Sequence, residues 1–451
     1  MPFVILPTNS ASGGYEVTNS LRFNSGSSDY LNRTPASAGN RQKFTLSFWV
    51  KRSKLSTGQY FLAIDTGATA NFFQFNSSDR LVLYCYSSSG GVTDFYLEPN
   101  QLFRDVSAWY HIMLAVDTTL ATADNRGRLY VNGSEVTSML YRTNPTQNFN
   151  CLVNNTNQHN IGGTSYLDGY LSDVYFIDGQ QLTPTSFGET DEDTGIWKPK
   201  AYTGTYGTNG FYLQFKNSAS LGTDSSGNGN TFTVNNLTSV DQSTDTPTNN
   251  FATANPLEKE PPAYSNGNLT HGNGAVWRFA PSTIAVSSGK WYAEFKIGGG
   301  DSIVGIASVT DMANNTILVV GSTANSIGYD SSGSRGINNS FVAYGSSFTT
   351  NDIISIALDM NNNALYFAKN GTYQNSGVPT SGASKTGAIN ISTSDFYVLG
   401  MSQNNNTSNS NYGSPAYSAN SYTDGAGFGN FSYSVPSGYY SLNTKNLSLY
   451  G

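Results

Sequence analysis

Charge is scarce in this chain. Lysine and arginine number 23 and aspartate and glutamate 30 among 451 residues, 12% in all, about half the usual share for a soluble protein. No Lys/Arg cluster occurs anywhere and the net charge is −7. Nucleic-acid affinity comes mainly from cations that displace counterions from phosphates, so no nucleic-acid partner is expected. Long apolar runs are also missing. No stretch reaches the roughly 18 residues that a membrane helix needs, which argues against membrane insertion. The opening MPFVILP has a short apolar run with no basic residue ahead of it and prolines on both sides, a poor secretory leader; synthesis in a cytoplasm is expected. Two cysteines, Cys85 and Cys151, cannot staple a chain of this length. They read as two buried thiols, and sequence leaves open whether they meet. The three histidines, His111, His159 and His271, stand far apart without a Cys, His or carboxylate at ligand or triad spacing, so they suggest neither a metal centre nor a catalytic base.

What replaces charge is aromatic and amide. Aromatics reach 13%, with 29 tyrosines, and glycine numbers 46. Low charge with many aromatics is the opposite of a disordered composition. The length suits two β-rich domains of about 200 residues each.

The chain sorts around Asp245 to Pro262, DTPTNNFATANPLEKEPP. Its prolines remove backbone donors and bias their predecessors away from helix, and no alternation runs through it. It reads as an ordered strap between two domains, having too few Gly and Ser for a random coil and carrying Phe251 and Leu257 as packing residues. The expected division is an arm over 1–19, a first domain over 20–244, the strap over 245–262 and a second domain over 263–451.

Short strands fill both domains. FTLSFWVKR, Phe44 to Arg52, alternates Phe44, Leu46, Phe48 and Val50 with Thr45, Ser47 and Trp49; WYHIMLAVD, Trp109 to Asp117, does the same. In the second domain GKWYAEFKI turns Trp291, Ala293, Phe295 and Ile297 inward and Lys290, Tyr292, Glu294 and Lys296 outward, as in a half-buried strand. Asn132-Gly133 and Asn370-Gly371 supply the positive φ angles of tight hairpins. Thr183-Pro184 looks like the cap and first position of one short helix. AVD, a polar loop and GRLYVNG in the first half echo ALD, a polar loop and ALYFAKNG in the second. The fold class is all-β: two tandem antiparallel β-sandwiches.

These residues carry a resemblance. LRFNSGSSDYL, FTLSFWVKR, WYHIMLAVD with GRLYVNG, and YLDGYLSDVYFIDGQQLTP resemble in order the strands of a laminin-G-like, concanavalin A-like jelly roll, over about Leu21 to Asn236. GKWYAEFKI, SIGYDSSG and DIISIALDMNNNALYFAKNG make the second half, about Tyr264 to Leu447, similar to a SPRY domain. The tandem, joined by DTPTNNFATANP and closed by FGNFSYSVPSGYYSLNTKNL, is similar to virion fibre and adhesin-like proteins of tailed bacteriophages. That resemblance implies a virion surface protein assembled in the host cytoplasm, docked to other virion proteins through Met1 to Asn19, forming a homo-oligomer such as a trimer, and recognising a host-surface glycan or other receptor. Its alternative is a structural head-decoration or fibre protein.

Catalysis is not expected. Glu189, Asp191 and Asp193 imitate the alternating carboxylates of jelly-roll glycoside hydrolases, but they follow a helical turn, with polar residues where a core-backed strand needs apolar ones. Asp224 to Asn230 (DSSGNGN) imitates a calcium loop without its terminal bidentate glutamate. Laminin-G-like domains often bind calcium at the rim, yet no ligands are assigned here, and no cofactor is expected. Three tyrosine-bearing stretches could instead form a binding platform: Asn404 to Tyr422, Tyr202 to Tyr206, and Tyr84 to Tyr86. The first is favoured because recognition concentrates on irregular loops, with Tyr412, Tyr417 and Tyr422 as the ligand-binding residues.

Overall fold

Alternation becomes architecture through pairing. Phe44, Leu46, Phe48 and Val50 project from one side of the strand Lys43–Arg52 into a core, where they meet Phe61, Phe73, Phe75, Leu83 and Phe95 from a facing sheet. The structure, a computed structural model, describes residues 14–65, 71–86, 93–272, 274–392 and 395–451; of the expected arm Met1 to Asn19, only Gly14 onward lies among them. The chain divides into two units between Thr248 and Asn249.

In the first unit Lys43–Arg52 lies between Trp109–Asp117 and Gly169–Asp178 in an antiparallel sheet. The second sheet runs from Met139–Thr143 through Thr93–Pro99, Leu81–Tyr86, Asn71–Phe75, Gln59–Asp65, Gln158–Ile161 and Tyr30–Arg33 to Thr233–Asn235. The two inner faces close one apolar core, the aligned packing of a β-sandwich. Cys85 and Cys151 both lie buried in it as free thiols. They meet: a hydrogen bond to Cys85 and burial push the Cys151 thiol up. The expected helix at Pro184 is a single 3-10 turn, Pro184–Ser186.

The second unit repeats the plan. Lys290–Lys296, Ile353–Asp359 and Ala364–Lys369 are neighbours in one sheet, and Ser302–Ser308 pairs with Ser326–Asp330 and Tyr397–Gln403 in the other. Trp291, Ala293, Phe295 and Ile297 point into the core between them. The sequence echo falls on equivalent antiparallel pairs, Trp109–Asp117 with Gly127–Val131 and Ile353–Asp359 with Ala364–Lys369. Asn132 and Gly133 take φ of 46° and 79°, and Asn370 and Gly371 48° and 79°.

The proline-bearing stretch 245–262 is divided at Thr248. In the first unit Asp245, 1% exposed, accepts from Lys51 Nζ at 2.7 Å and Trp109 Nε1 at 3.0 Å, and its carbonyl accepts from Ser20 Oγ at 2.6 Å. In the second unit Ala252 N donates to Leu442 O at 2.9 Å and Asn255 N to Pro281 O at 2.8 Å, while the Phe251 ring covers Gly413. Phe251 is buried and Leu257 half-buried. Removing one member of a buried ion pair leaves the other charge without its partner. Asp245→Ala is therefore expected to destabilise the first unit by roughly 3–5 kcal/mol in denaturant unfolding, and a loss below about 1 kcal/mol would show that solvent reaches Lys51.

Candidate functional site

The favoured tyrosines do not form one surface. Tyr412 is fully buried, its ring edge-on to Phe295 at 5.9 Å and its hydroxyl donating to Leu399 O at 3.2 Å. It follows the strand Thr407–Asn411, so the stretch read as an irregular loop begins as sheet. Tyr412 has no face to offer a ligand. Tyr417 is half-buried, with Lys296 Nζ 5.4 Å from its ring centroid, and Tyr422 is 47% exposed. The reason is a covering segment. After Tyr412 the chain returns over the outward face of Lys290–Lys296, so that Tyr292 and Glu294, expected in solvent, are 1% and 0% exposed. Glu294 accepts from Ser432 N, Tyr433 N and Tyr292 Oη at 2.8, 2.9 and 3.0 Å; burial pushes its carboxyl up and these donors hold it back. It is a clamp for the returning chain.

The first sheet of the first unit is covered in the same way. Trp197 stacks on His111 at 5.9 Å and donates Nε1–H to Nδ1 at 3.0 Å, leaving Nε2 facing Ser47 Oγ at 2.8 Å. Burial holds His111 neutral, down to about 3. Tyr202 and Tyr206 pack beside Tyr175, Phe187 and Tyr212 in an apolar cluster rather than standing as a platform. Asp173 sits at a bulge with φ 46°. It accepts from Tyr212 Oη at 2.6 Å, and burial raises it to about 6. A carboxyl so shifted suits acid–base chemistry only beside a cleft, and this one is 3% exposed.

Of the glycosidase-like acids, Glu189 lies on the strand Gly188–Thr190, which pairs with Trp197–Pro199, while Asp191 and Asp193 lie, as expected, in the loop between the two strands. Asp191 accepts from Thr194 N and Oγ1 and from Lys198 Nζ, and Thr194 and Lys198 hold its carboxyl below the usual range, the wrong direction for a general acid. Both Asp224 oxygens take N–H donors, from Tyr212, Ser226 and Asn230, which makes DSSGNGN a hydrogen-bonded turn. Among the described residues no cluster of acids, histidines and cysteines could hold a metal.

One sheet face remains. The second sheet of the first unit carries no apolar cluster on its outer side among the described residues. There Tyr84 and Tyr96 stand opposite one another on neighbouring strands, ring centroids 4.6 Å apart, and Tyr141 lies 6.4 Å beyond Tyr96 on the edge strand. Tyr141 is 61% exposed, and Tyr84 and Tyr96 are partly exposed. Tyr96 Oη donates to Glu98 Oε2 at 2.6 Å, and Asn76 Nδ2 donates to Oε1 at 3.1 Å; burial, then Glu98 and Tyr84, raise the Tyr96 hydroxyl. Tyr60 and Gln74 pair across the next two strands, and Gln158, Asn160, Asn32, Tyr30 and Asn235 continue the face to the far edge. Of the platform expected at Tyr84 to Tyr86, Tyr84 belongs here; the side chain of Tyr86 lies outside the described residues. Tyr96 and Tyr141 escaped sequence reading because their strands join Tyr84 only through pairing. The one signal was the Tyr-x-Glu alternation of TDFYLEP.

Residues 25–186 match the family described as the concanavalin A-like lectin/glucanases superfamily, and residues 290–413 match the SPRY domain; the chain carries the two in tandem. No curated protein matches the sequence. Among solved structures, the SPRY domain of human HERC1 is 16% identical over 35% of this chain and 96% of its own, with a TM-score of 0.28. The native heptameric SAP-like pentraxin of Limulus polyphemus is 15% identical over 38% and 80%, TM-score 0.28. A candidate carbohydrate-binding protein from Bacteroides ovatus is 13% identical over 49% and 59%, TM-score 0.33.

The histidines give a pH test. Burial lowers His111 to about 3 and His159 to about 4. A histidine lowered on folding contributes stability that is full above its unfolded value of about 6.5 and is lost as pH falls toward the folded value, by about 1.4 kcal/mol per pH unit for each histidine. Asp173, raised to about 6, works in the opposite sense as pH falls below that value. Imidazole NMR signals separate the two: those of His111 should stay in the neutral form down to pH of about 4, and titration near 6.5 would mean that Trp197 does not seal the ring.

Proposed function

We propose that this chain is a non-catalytic recognition protein that binds glycan on the tyrosine-bearing outer face of its concanavalin A-like domain, and that it is displayed on a virion surface as a fibre or adhesin. The observation that carries the glycan reading is the Tyr84–Tyr96–Tyr141 row. Tyrosine rings take the apolar faces of sugars, while hydroxyl, amide and carboxylate groups around them take sugar hydroxyls, and here Gln74, Asn76 and Glu98 flank the row. The family description, lectin and glucanase, supports the same chemistry.

Binding without hydrolysis is favoured by the spacing of the acids. Asp94 and Glu98 share the face of one strand with Tyr96 between them, about 13 Å apart along the backbone at 3.3 Å per residue. Retaining glycosidases place their two carboxyls roughly 5–5.5 Å apart and inverting ones roughly 6.5–9.5 Å. The display on a virion rests on the resemblance of the tandem and on a surface built from Asn, Ser, Thr and Tyr rather than Lys and Glu.

Tyr141→Ala removes an exposed ring, so folding stability should change by less than about 0.5 kcal/mol. Affinity for glycans selected on an array, and adsorption to host cells, should fall at least roughly fivefold, about 1 kcal/mol. Full binding by Tyr141→Ala and Tyr96→Ala together sinks the reading, and release of reducing sugar that Glu98→Gln abolishes would turn the site into an enzyme's.

A further inference from the structure

We infer that the glycan taken by this face is an uncharged one, laid across the strands so that successive sugars pass over Tyr141, Tyr96 and Tyr84; the inference rests on the reading of the face as a glycan site. The direction follows from where the rings stand. The three tyrosines occupy three adjacent strands, Met139–Thr143, Thr93–Pro99 and Leu81–Tyr86, with centroid steps of 6.4 and 4.6 Å. Neighbouring strands repeat at roughly 4.8 Å, close to the length of one pyranose unit, so a chain crossing the strands meets one tyrosine per sugar, in alternating orientation, since the Tyr96 ring stands at 78° to Tyr84 and 73° to Tyr141. A chain running along a strand meets Tyr96 and then the carboxylates Asp94 and Glu98 on either side of it.

The choice of an uncharged ligand follows from where the cations go. Both described arginines on these strands are turned off the face. Arg142 reaches past the edge to the carbonyls of Asp124 and Gly127 at 2.7 and 3.1 Å and to Asn144 at 2.7 Å. Arg33, on an inward position beside Leu31, bonds Asn209 at 3.4 Å and also Asn230 at the sandwich end. Arg80, on the loop before Leu81, lies 3.9 Å from Glu98 and donates to the carbonyls of Pro99 and Asn100. What stands on the outer side is tyrosine, amide, the buried Val82 and the carboxylates of Asp94, partly exposed, and Glu98, only 6% exposed, in a chain of net charge −7. An anionic sugar would therefore meet the Asp94 carboxylate and, among the described residues of this face, no cation that is not already bonded within the chain. A like charge 4 Å away costs roughly fivefold in affinity even at the dielectric of water. A cationic sugar gains little from Glu98, whose oxygens already accept from Tyr96 and Asn76.

The experiment titrates the whole chain with matched polymers that differ in charge: dextran, dextran sulfate and diethylaminoethyl-dextran, together with neutral gluco-, manno-, galacto- and N-acetylglucosamine oligosaccharides of one to four units, each at low and high salt, with Tyr141→Ala alongside. Expected are binding by a neutral series that tightens up to three units and changes less than about twofold with salt, at least fivefold weaker binding by its anionic counterpart, and loss in Tyr141→Ala. Tighter, salt-sensitive binding of dextran sulfate or of the cationic polymer that Tyr141→Ala abolishes overturns the uncharged ligand and leaves the face as the glycan site. Binding of any polymer that Tyr141→Ala and Tyr96→Ala leave intact, or binding by none, overturns both.

Discussion

A β-strand has two faces, and closing two sheets over a core uses only one of them. The outer faces must be settled separately, and this chain settles them in two ways. In the first sheet of the first unit a return of the chain lays Trp197 on His111 and packs Phe187, Tyr202 and Tyr206 around Tyr175 and Tyr212. In the large sheet of the second unit a return after Tyr412 seals Tyr292, Tyr366 and Tyr439 into another apolar cluster. The second sheet of the first unit carries no such cover among the described residues, and its outward tyrosines and amides are left to meet something else.

Covering an outer face traps polar groups, and a buried polar group is costly unless it is bonded. The strongly perturbed residues of this protein are the result of that trapping. Neutral His111 is spanned by Ser47 and Trp197, and Glu294 takes two backbone donors from the segment that buries it. Each ties a distant stretch of chain to a strand. Shifted titration is often the mark of catalysis, but these groups lie under packed aromatics, so their shifts report latching.

This division explains what could be read from the sequence. The inward faces were legible because alternation is local: Phe44, Leu46, Phe48 and Val50, or Trp291, Ala293 and Phe295, declare their core within one strand. The two domains were legible from recurring strands and Asn-Gly turns. The outward faces were not. KWYAEFK has the polar alternation of a strand in water, and nothing within it reveals that a segment some 140 residues later, Ser432 and Tyr433, will cover Glu294. Tyr412 was misread for the converse reason. Its neighbours are Asn, Ser and Gly, so the run has a loop's composition, yet Thr407–Asn411 pairs with Lys290–Lys296 and carries Tyr412 into the core.

Tyrosine is where the ambiguity concentrates. Its ring is apolar enough to fill a core and its hydroxyl polar enough to sit in water, so a chain that uses 29 of them in place of charged residues does not say which are which. Tyr412 and Tyr141 differ little as sequence; one is fully buried and the other 61% exposed. What separates them is the side of the sheet on which each stands: Tyr412 turns into the core against Phe295, and Tyr141 stands on an edge strand of a face that no apolar cluster covers among the described residues. Tyr84 and Tyr96 are each half-buried, their rings against one another on directly paired strands, and no apolar cluster among the described residues encloses them. A recognition surface in such a protein is therefore sought by subtraction, as the aromatic face that the described residues of the chain have not covered.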